Sequence, residues 1–294
     1  YHGDMQSYLQ AKARLFQALK PGATAVLNRD DPAAVTMAEQ LETGVNIIWY
    51  GLSPEADIRA EDIQPGPDGT RLRMVMPHGA VELFLPIVGA HNVENALAAA
   101  AAALALGASE LTVASALEDA RAVPGRLELV ETPGGIMRGG RVRTFVDYAH
   151  TPDALDKVCG TLAGVCEGDL HVVFGCGGDR DRGKRAPMAQ AVARHARYAY
   201  LTSDNPRSED PNSIIADMVN GLDDAERSCD LFQVVDRAEA IRQAVSQAQP
   251  GDTVLIAGKG HETYQVFKDS VIPFDDRLEA GRALAAREAG WLPR

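Results

Sequence analysis

The chain has 294 residues, enough for about two domains at roughly 100–200 residues each. It is 46% hydrophobic and 24% charged, so it can fill real cores. Its formal net charge of −12, with no basic patch or stripe, argues against a nucleic-acid binder and leaves any anionic ligand to individual Arg and Lys residues.

Residues 4–19 read as an amphipathic helix ended by Pro21-Gly22. Ala23–Leu27 is a short strand, Asn28-Arg-Asp-Asp-Pro32 a turn opening a helix, and Val45–Tyr50 a second strand. From about Asp57 to Val88, alternating runs divided by Pro65-Gly66, Asp68-Gly69 and His78-Gly79 predict antiparallel hairpins. Helices follow near 92–106 and 110–119; the Ala-rich run Ala96–Leu106 falls short of the roughly 18 residues of a membrane span. Pro124-Gly125 is the candidate domain boundary, followed by a hairpin-like stretch. Strands at Thr144–Tyr148, Leu170–Phe174, Tyr198–Thr202, Phe232–Val235 and Thr253–Ala257 then alternate with helices opened at Thr151-Pro152 and near 185–195, 211–220 and 237–247. A hairpin and a last helix near 275–288 close the chain. The alternation implies an α/β fold with a doubly wound, mostly parallel sheet, whose ligands bind outside the carboxyl ends of the strands.

The four cysteines show no C-x-x-C spacing and no adjacent histidine cluster, which argues against a disulfide framework or zinc site and fits a reducing compartment. We therefore expect a soluble cytoplasmic protein without membrane insertion. Because the chain opens on Tyr1 rather than Met, inside a motif, we also expect the native N-terminus to lie upstream.

Polar clusters follow the predicted strands. Gly175-Cys-Gly-Gly-Asp-Arg-Asp-Arg-Gly-Lys-Arg185 nearly spells a phosphate-binding P-loop, but Arg185 replaces the Ser or Thr that reaches magnesium, so that reading is rejected. What remains is a ligand loop with Arg180, Arg182, Lys184 and Arg185, or a solvated charged turn. In Thr202-Ser-Asp-Asn-Pro-Arg207, Asp204 can accept from an ammonium and Arg207 can grip a carboxylate, while Pro206 stiffens the turn; an ordinary strand-to-helix turn stays open. Gly258-Lys-Gly-His-Glu262 brings Glu262 to the same edge, and a lone His261 is more often structural. Asp147, in Val146-Asp-Tyr-Ala-His-Thr-Pro152, is a candidate partner for ribose hydroxyls, beside a helix capped by Thr151. In Gly89-Ala-His-Asn-Val-Glu-Asn95, Asn92 can cap the following helix and Asn95 can face a base, or the segment is simply a capped core helix.

With Tyr1-His-Gly-Asp4, Ala11-Lys12, Asn28-Arg-Asp-Asp-Pro32 and Pro124-Gly-Arg-Leu-Glu128, these clusters, in this order, resemble the Mur ligase superfamily of ATP-dependent amide-forming enzymes over nearly the whole chain. Each element is weak alone; the ordered set is specific, and Asp204-Asn-Pro-Arg207 resembles the diaminopimelate-adding branch. The resemblance implies a partial central P-loop-type ATPase domain lacking its P-loop at 1–123, and a Rossmann-like C-terminal domain at 124–294. It implies that ATP, with Mg2+, phosphorylates the glutamate carboxylate of UDP-N-acetylmuramoyl-L-alanyl-D-glutamate, and that the amine of meso-2,6-diaminopimelate attacks the acyl phosphate. By the same resemblance Lys12 is a carbamate that positions magnesium. Asn92, Asn95, Arg126 and Asp147 contact ATP, and Arg180, Asp204, Asn205, Pro206, Arg207, Gly258 and Glu262 hold diaminopimelate. A chain without its upstream part is expected to be inactive alone. The competing expectations are a lysine-adding ligase or folylpolyglutamate synthase, and a non-catalytic amino-acid or nucleotide-binding module. A Rossmann dehydrogenase ranks below both, since no Gly-x-Gly-x-x-Gly follows a first strand.

Overall fold

The first helix, α1 (Met5–Gln17), leads into β1 (Thr24–Asn28) and α2 (Pro32–Ala38) in a computed structural model that describes residues 5–130, 142–222 and 229–290. The Tyr1–Asp4 part of the opening motif lies outside the described residues. Asp31 caps α2 by accepting from Ala33 N at 2.9 Å, and Pro32 takes the first helical position, where no N–H is needed. The chain divides into two compact units, Tyr1–Arg121 and Ala122–Arg294.

In the first unit, β2 (Asn46–Gly51) pairs parallel with β1. The expected hairpins are β3 (Ile58–Gly66), β4 (Gly69–Met76) and β5 (Gly79–Leu85), paired antiparallel in sequence order. They do not form a sheet of their own: β3 also pairs parallel with β2, giving one sheet ordered β1-β2-β3-β4-β5. Strand β4 shows why the pattern specifies a half-buried sheet. Leu72, Met74 and Met76 are buried while Arg71 is exposed and Arg73 lies at the rim. Onto this face packs α3 (Ala90–Ala105), where small alanines let Val93, Leu97 and Ala101 approach the sheet, and α4 (Glu110–Glu118) adds Val113 and Leu117. Each fully buried Leu or Met contributes about 1.5–3 kcal/mol.

The expected cap of α3 is corrected. Gly89, at φ +110°, occupies the cap position with no side-chain bond, and Asn92 lies inside the helix, donating through Nδ2 to Val88 O at 2.8 Å. A non-glycine cap is disfavoured at that backbone angle, so the capping role passes to backbone geometry.

The second unit begins with β6 (Glu128–Leu129), antiparallel to β7 (Arg143–Asp147). Then come α5 (Pro152–Ala163), β8 (Leu170–Phe174), a short 3-10 turn at Arg182–Lys184, α6 (Arg185–Ala193) and β9 (Tyr198–Leu201). They are followed by α7 (Pro211–Val219), β10 (Asp230–Gln233), α8 (Arg237–Gln247) and β11 (Thr253–Ala257). The hairpin β12 (Tyr264–Phe267) and β13 (Ser270–Pro273) precedes α9 (Asp276–Glu288). Strand β10 starts two residues before its expected position. The sheet order is β10-β9-β8-β11-β7-β6, parallel except at β6. Every residue of β8 and of β11 is buried, as a central strand covered by helices on both faces requires. Because β7, β8, β9 and β11 run the same way, the loops that follow them all leave one edge of the sheet.

Candidate functional site

At that edge the β9 loop is built from buried polar groups. Asp204 is 9% exposed, and its carboxylate accepts no hydrogen bond from the described residues. Burial pushes its pKa up, against the pull of Arg237 and Lys259. Gly258, at φ +116°, lies against it, and a Cβ there would sit 2.8 Å from Asp204 Oδ2. Asn205 accepts from Lys259 Nζ at 3.1 Å and Val266 N at 2.9 Å, and its Nδ2 donates to Glu262 Oε2 at 3.1 Å. Pro206 is buried. Arg207 stands at φ +52°; its N donates to Val266 O at 3.0 Å and its Nη1 to Gly178 O at 2.8 Å. Its Nε and Nη2 meet no acceptor among the described residues.

The Gly175–Arg185 loop divides its cations. Arg182 and Arg185 both reach Glu209, each at 2.8 Å, and Arg185 also binds Asp217 at 2.8 Å. Arg185 is 1% exposed. The ion pair with Arg185, helped by the Asp179 amide, holds the Glu209 carboxyl at about 2. Asp179 is held low by Ser208, which donates through Oγ at 2.7 Å and N at 3.1 Å. Lys184 donates to His150 O at 3.4 Å. Arg180 is exposed and has no partner among the described residues. Two of the four basic residues of this loop are thus held in ion pairs, Lys184 meets a carbonyl, and Arg180 alone has no partner among the described residues.

Asp147, at the end of β7, is committed on both oxygens: Oδ2 accepts from Leu127 N at 2.8 Å and Oδ1 from Ala149 N at 2.7 Å. These bonds fix the Arg126 loop, and a second lone pair on each oxygen remains for a hydroxyl. The Arg126 guanidinium lies 4.6 Å from the centre of the Tyr148 ring, and Tyr148 in turn neighbours His150 and His261. Gly125, at φ +70°, touches the backbone of Gly260 and His261 so closely that a Cβ would overlap it. The segment before β6 and the loops after β7 and β11 therefore form one packed surface.

Sequence reasoning left two contributors unassigned. Lys259 is fully buried between Asn205 and Glu262; its place between two glycines was the available signal. Arg237 is also fully buried, pairs through Nε and Nη2 with Asp276 at 2.7 Å each, and donates to Ala257 O at 3.0 Å, just before Gly258. Its Nη1 has no partner among the described residues. Nothing local marks Arg237, since its partner lies 39 residues on.

The other candidates lie in the first unit. Asn95 is exposed and donates to Asn92 Oδ1 at 3.3 Å. Lys12 is exposed on α1, its Nζ 5.3 Å from the Tyr8 ring centre. Magnesium wants near-octahedral oxygen ligands, and the described residues hold no group of three or more His, Cys, Asp or Glu able to bind a metal. Lys12 does not on its own make such a site. No helix among the described residues is long and apolar enough to cross a membrane.

The second unit is thus a Rossmann-like sheet with open charges at one edge, following a separate five-stranded α/β unit. The Mur ligase middle domain matches residues 1–103, and the Mur ligase glutamate ligase domain matches residues 125–260. The chain belongs to the Mur ligase family. It is 45% identical over 293 residues to the UDP-N-acetylmuramoyl-L-alanyl-D-glutamate–2,6-diaminopimelate ligase of Geobacillus thermodenitrificans, covering 98% of this chain and 58% of the relative. The protein of that name from Synechococcus elongatus is 42% identical, with 98% and 56% covered. A solved structure of such a ligase superposes with a TM-score of 0.72 at 40% identity, covering 98% of this chain and 58% of the other. The folylpolyglutamate synthase of Thermotoga maritima, at 19% identity and a TM-score of 0.67, shares the fold. The chain spans little more than half the length of these relatives.

Proposed function

We propose that the chain is part of an ATP-dependent ligase that adds meso-2,6-diaminopimelate to UDP-N-acetylmuramoyl-L-alanyl-D-glutamate in cytoplasmic peptidoglycan synthesis. In this reading residues 1–123 are the later part of the central, ATP-binding domain, and residues 124–294 are the amino-acid-binding C-terminal domain. The observation that carries it is the set of open charges at one sheet edge. Among the described residues Arg180 lacks an acceptor, Arg207 has Nε and Nη2 unused, and Asp204 is a nearly buried carboxylate without a donor. Diaminopimelate complements that set with its two carboxylates and one amine, as ammonium, and leaves its second amine to react. Arg207 grips the carboxylate that lysine lacks, Asp204 accepts from an ammonium, and Asn205, Pro206, Gly258 and Glu262 shape the rest.

Arg126, Asp147, Asn92 and Asn95 serve the nucleotide in the same reading. The stacked Arg126 offers a positive face, and Asp147 offers lone pairs to a ribose. Lys12, as a carbamate, would lend oxygen to a magnesium ion whose other ligands come from outside the described residues.

Calorimetric titration of meso-diaminopimelate and L-lysine tests the proposal. A site built around a buried polar contact rejects the analogue lacking it by roughly 10⁴-fold. The expected result is selective binding of diaminopimelate that is lost in Arg207→Ala. Equal affinity for both amino acids, or undiminished binding by the variant, would remove Arg207 from the role.

A further inference from the structure

We infer that Lys259 is a positioning residue of the amino-acid pocket, tying Asn205 to Glu262 so that one carboxylate oxygen of Glu262 is left facing the ligand. The inference rests on the diaminopimelate reading above. A lysine with no exposed surface is rare, and its burial needs a compensating network. Here the network is closed. Nζ donates to Asn205 Oδ1 and to Glu262 Oε2, both at 3.1 Å, and Asn205 Nδ2 donates to the same Oε2 at 3.1 Å. The amide of Asn205 is held in one orientation, because Val266 N also donates to its Oδ1. Both bonds that Glu262 accepts here fall on its Oε2. Its Oε1 meets no donor among the described residues, and the side chain keeps 22% exposure.

The backbone explains how a lysine comes to point inward here. Gly258 and Gly260 flank it at φ +116° and +55°, angles that turn the loop sharply on either side. The Tyr264 ring, 5.7 Å from Nζ, covers the ammonium. Two of the three N–H donors of Lys259 are engaged, and with no exposed surface its Nζ does not reach a substrate. It acts through the two side chains it aligns, as a supporting shell around a binding group does. Its charge also faces Asp204, together with Arg237 and against Glu262 and Asp276.

The test is calorimetric titration of meso-diaminopimelate into the 294-residue chain and its Lys259→Met variant across pH, with melting curves to confirm folding. Loss of two charge-assisted hydrogen bonds predicts affinity weakened about tenfold or more. With one of the two cations facing Asp204 gone, the acid limb of binding moves to higher pH. Lys259→Gln keeps a donor without the charge; it decides the matter if the methionine variant does not fold, and is expected to shift the limb the same way. A folded variant with unchanged affinity, or one weakened equally at every pH, overturns the inference while leaving the pocket intact. No binding by the unaltered chain overturns the pocket reading and this inference with it.

Discussion

Arg207 joins a binding role to a backbone conformation that suits it poorly. At φ +52° a non-glycine residue loses about 1–2 kcal/mol relative to the right-handed region. It is held there by its own N–H on Val266 O and by Nη1 on Gly178 O. Strain kept at a functional position separates two substitutions that otherwise look alike. Arg207→Ala removes the guanidinium and keeps the strain; Arg207→Gly removes both. Both variants are expected to lose selective diaminopimelate binding. The glycine variant is expected to be more stable than the alanine variant by about 1 kcal/mol in urea unfolding. An alanine variant as stable as the glycine one would mean that the turn carries no strain.

At the scale of elements, the β12–β13 hairpin is the clamp on the β9 loop. Gln265, 4% exposed, donates from Nε2 to Ser203 O at 3.3 Å and Asp204 O at 2.8 Å, and its neighbour Val266 exchanges bonds with Asn205 and Arg207. Gln265→Leu keeps the volume and strands two buried carbonyls, so a loss of about 1–3 kcal/mol is expected by chemical denaturation, together with weaker diaminopimelate binding. Unchanged stability would mean that water or a backbone shift replaces the amide. The elements themselves were largely readable. Apolar runs of five residues with Gly or Pro at their ends became β8 and β11, and Thr151-Pro152 became a cap, Thr151 Oγ1 accepting from Ala154 N at 3.3 Å. That the clusters share one edge followed from parallel strands alone. What could not be read was which charges were already spoken for. Arg182 and Arg185 look as available as Arg180 until Glu209 and Asp217 fold against them. Asn92 looks like a cap until the positive φ of Gly89 displaces it. The Arg185 assignment depends on partners 24 and 32 residues away, beyond any local pattern.

At the scale of the whole molecule, carboxylates shifted in opposite directions shape stability against acid, Glu209 and Asp204 among them. Glu209 is held at about 2, well below its ordinary 4.5, by Arg185 and the Asp179 amide. A depressed folded-state value contributes stability that is fully present above about 4.5 and is lost as pH falls toward 2. Asp179, held low by Ser208, and Asp210, held low as the cap of α7 by Asn212 and Ser213, add to that loss. Asp204 works the other way. Its pKa is raised above 3.8 by burial, so the folded state takes up its proton first, and stability rises as pH falls through that raised value. The melting temperature is therefore expected to drop steeply below about 4.5, where the depressed carboxylates take up protons, with Asp204 opposing part of that fall. Two variants separate the arms. Asp204→Asn should melt higher than the unaltered chain at neutral pH and fall more steeply in acid, while binding less diaminopimelate. Glu209→Gln should melt lower at neutral pH and show a shallower acid drop, because the pairing that acid would remove is already gone. Calorimetric melts from pH 7 to 2 on the three proteins decide it. If Glu209→Gln falls as steeply as the unaltered chain, the Arg182–Arg185–Glu209 cluster is not what holds the second unit together in acid.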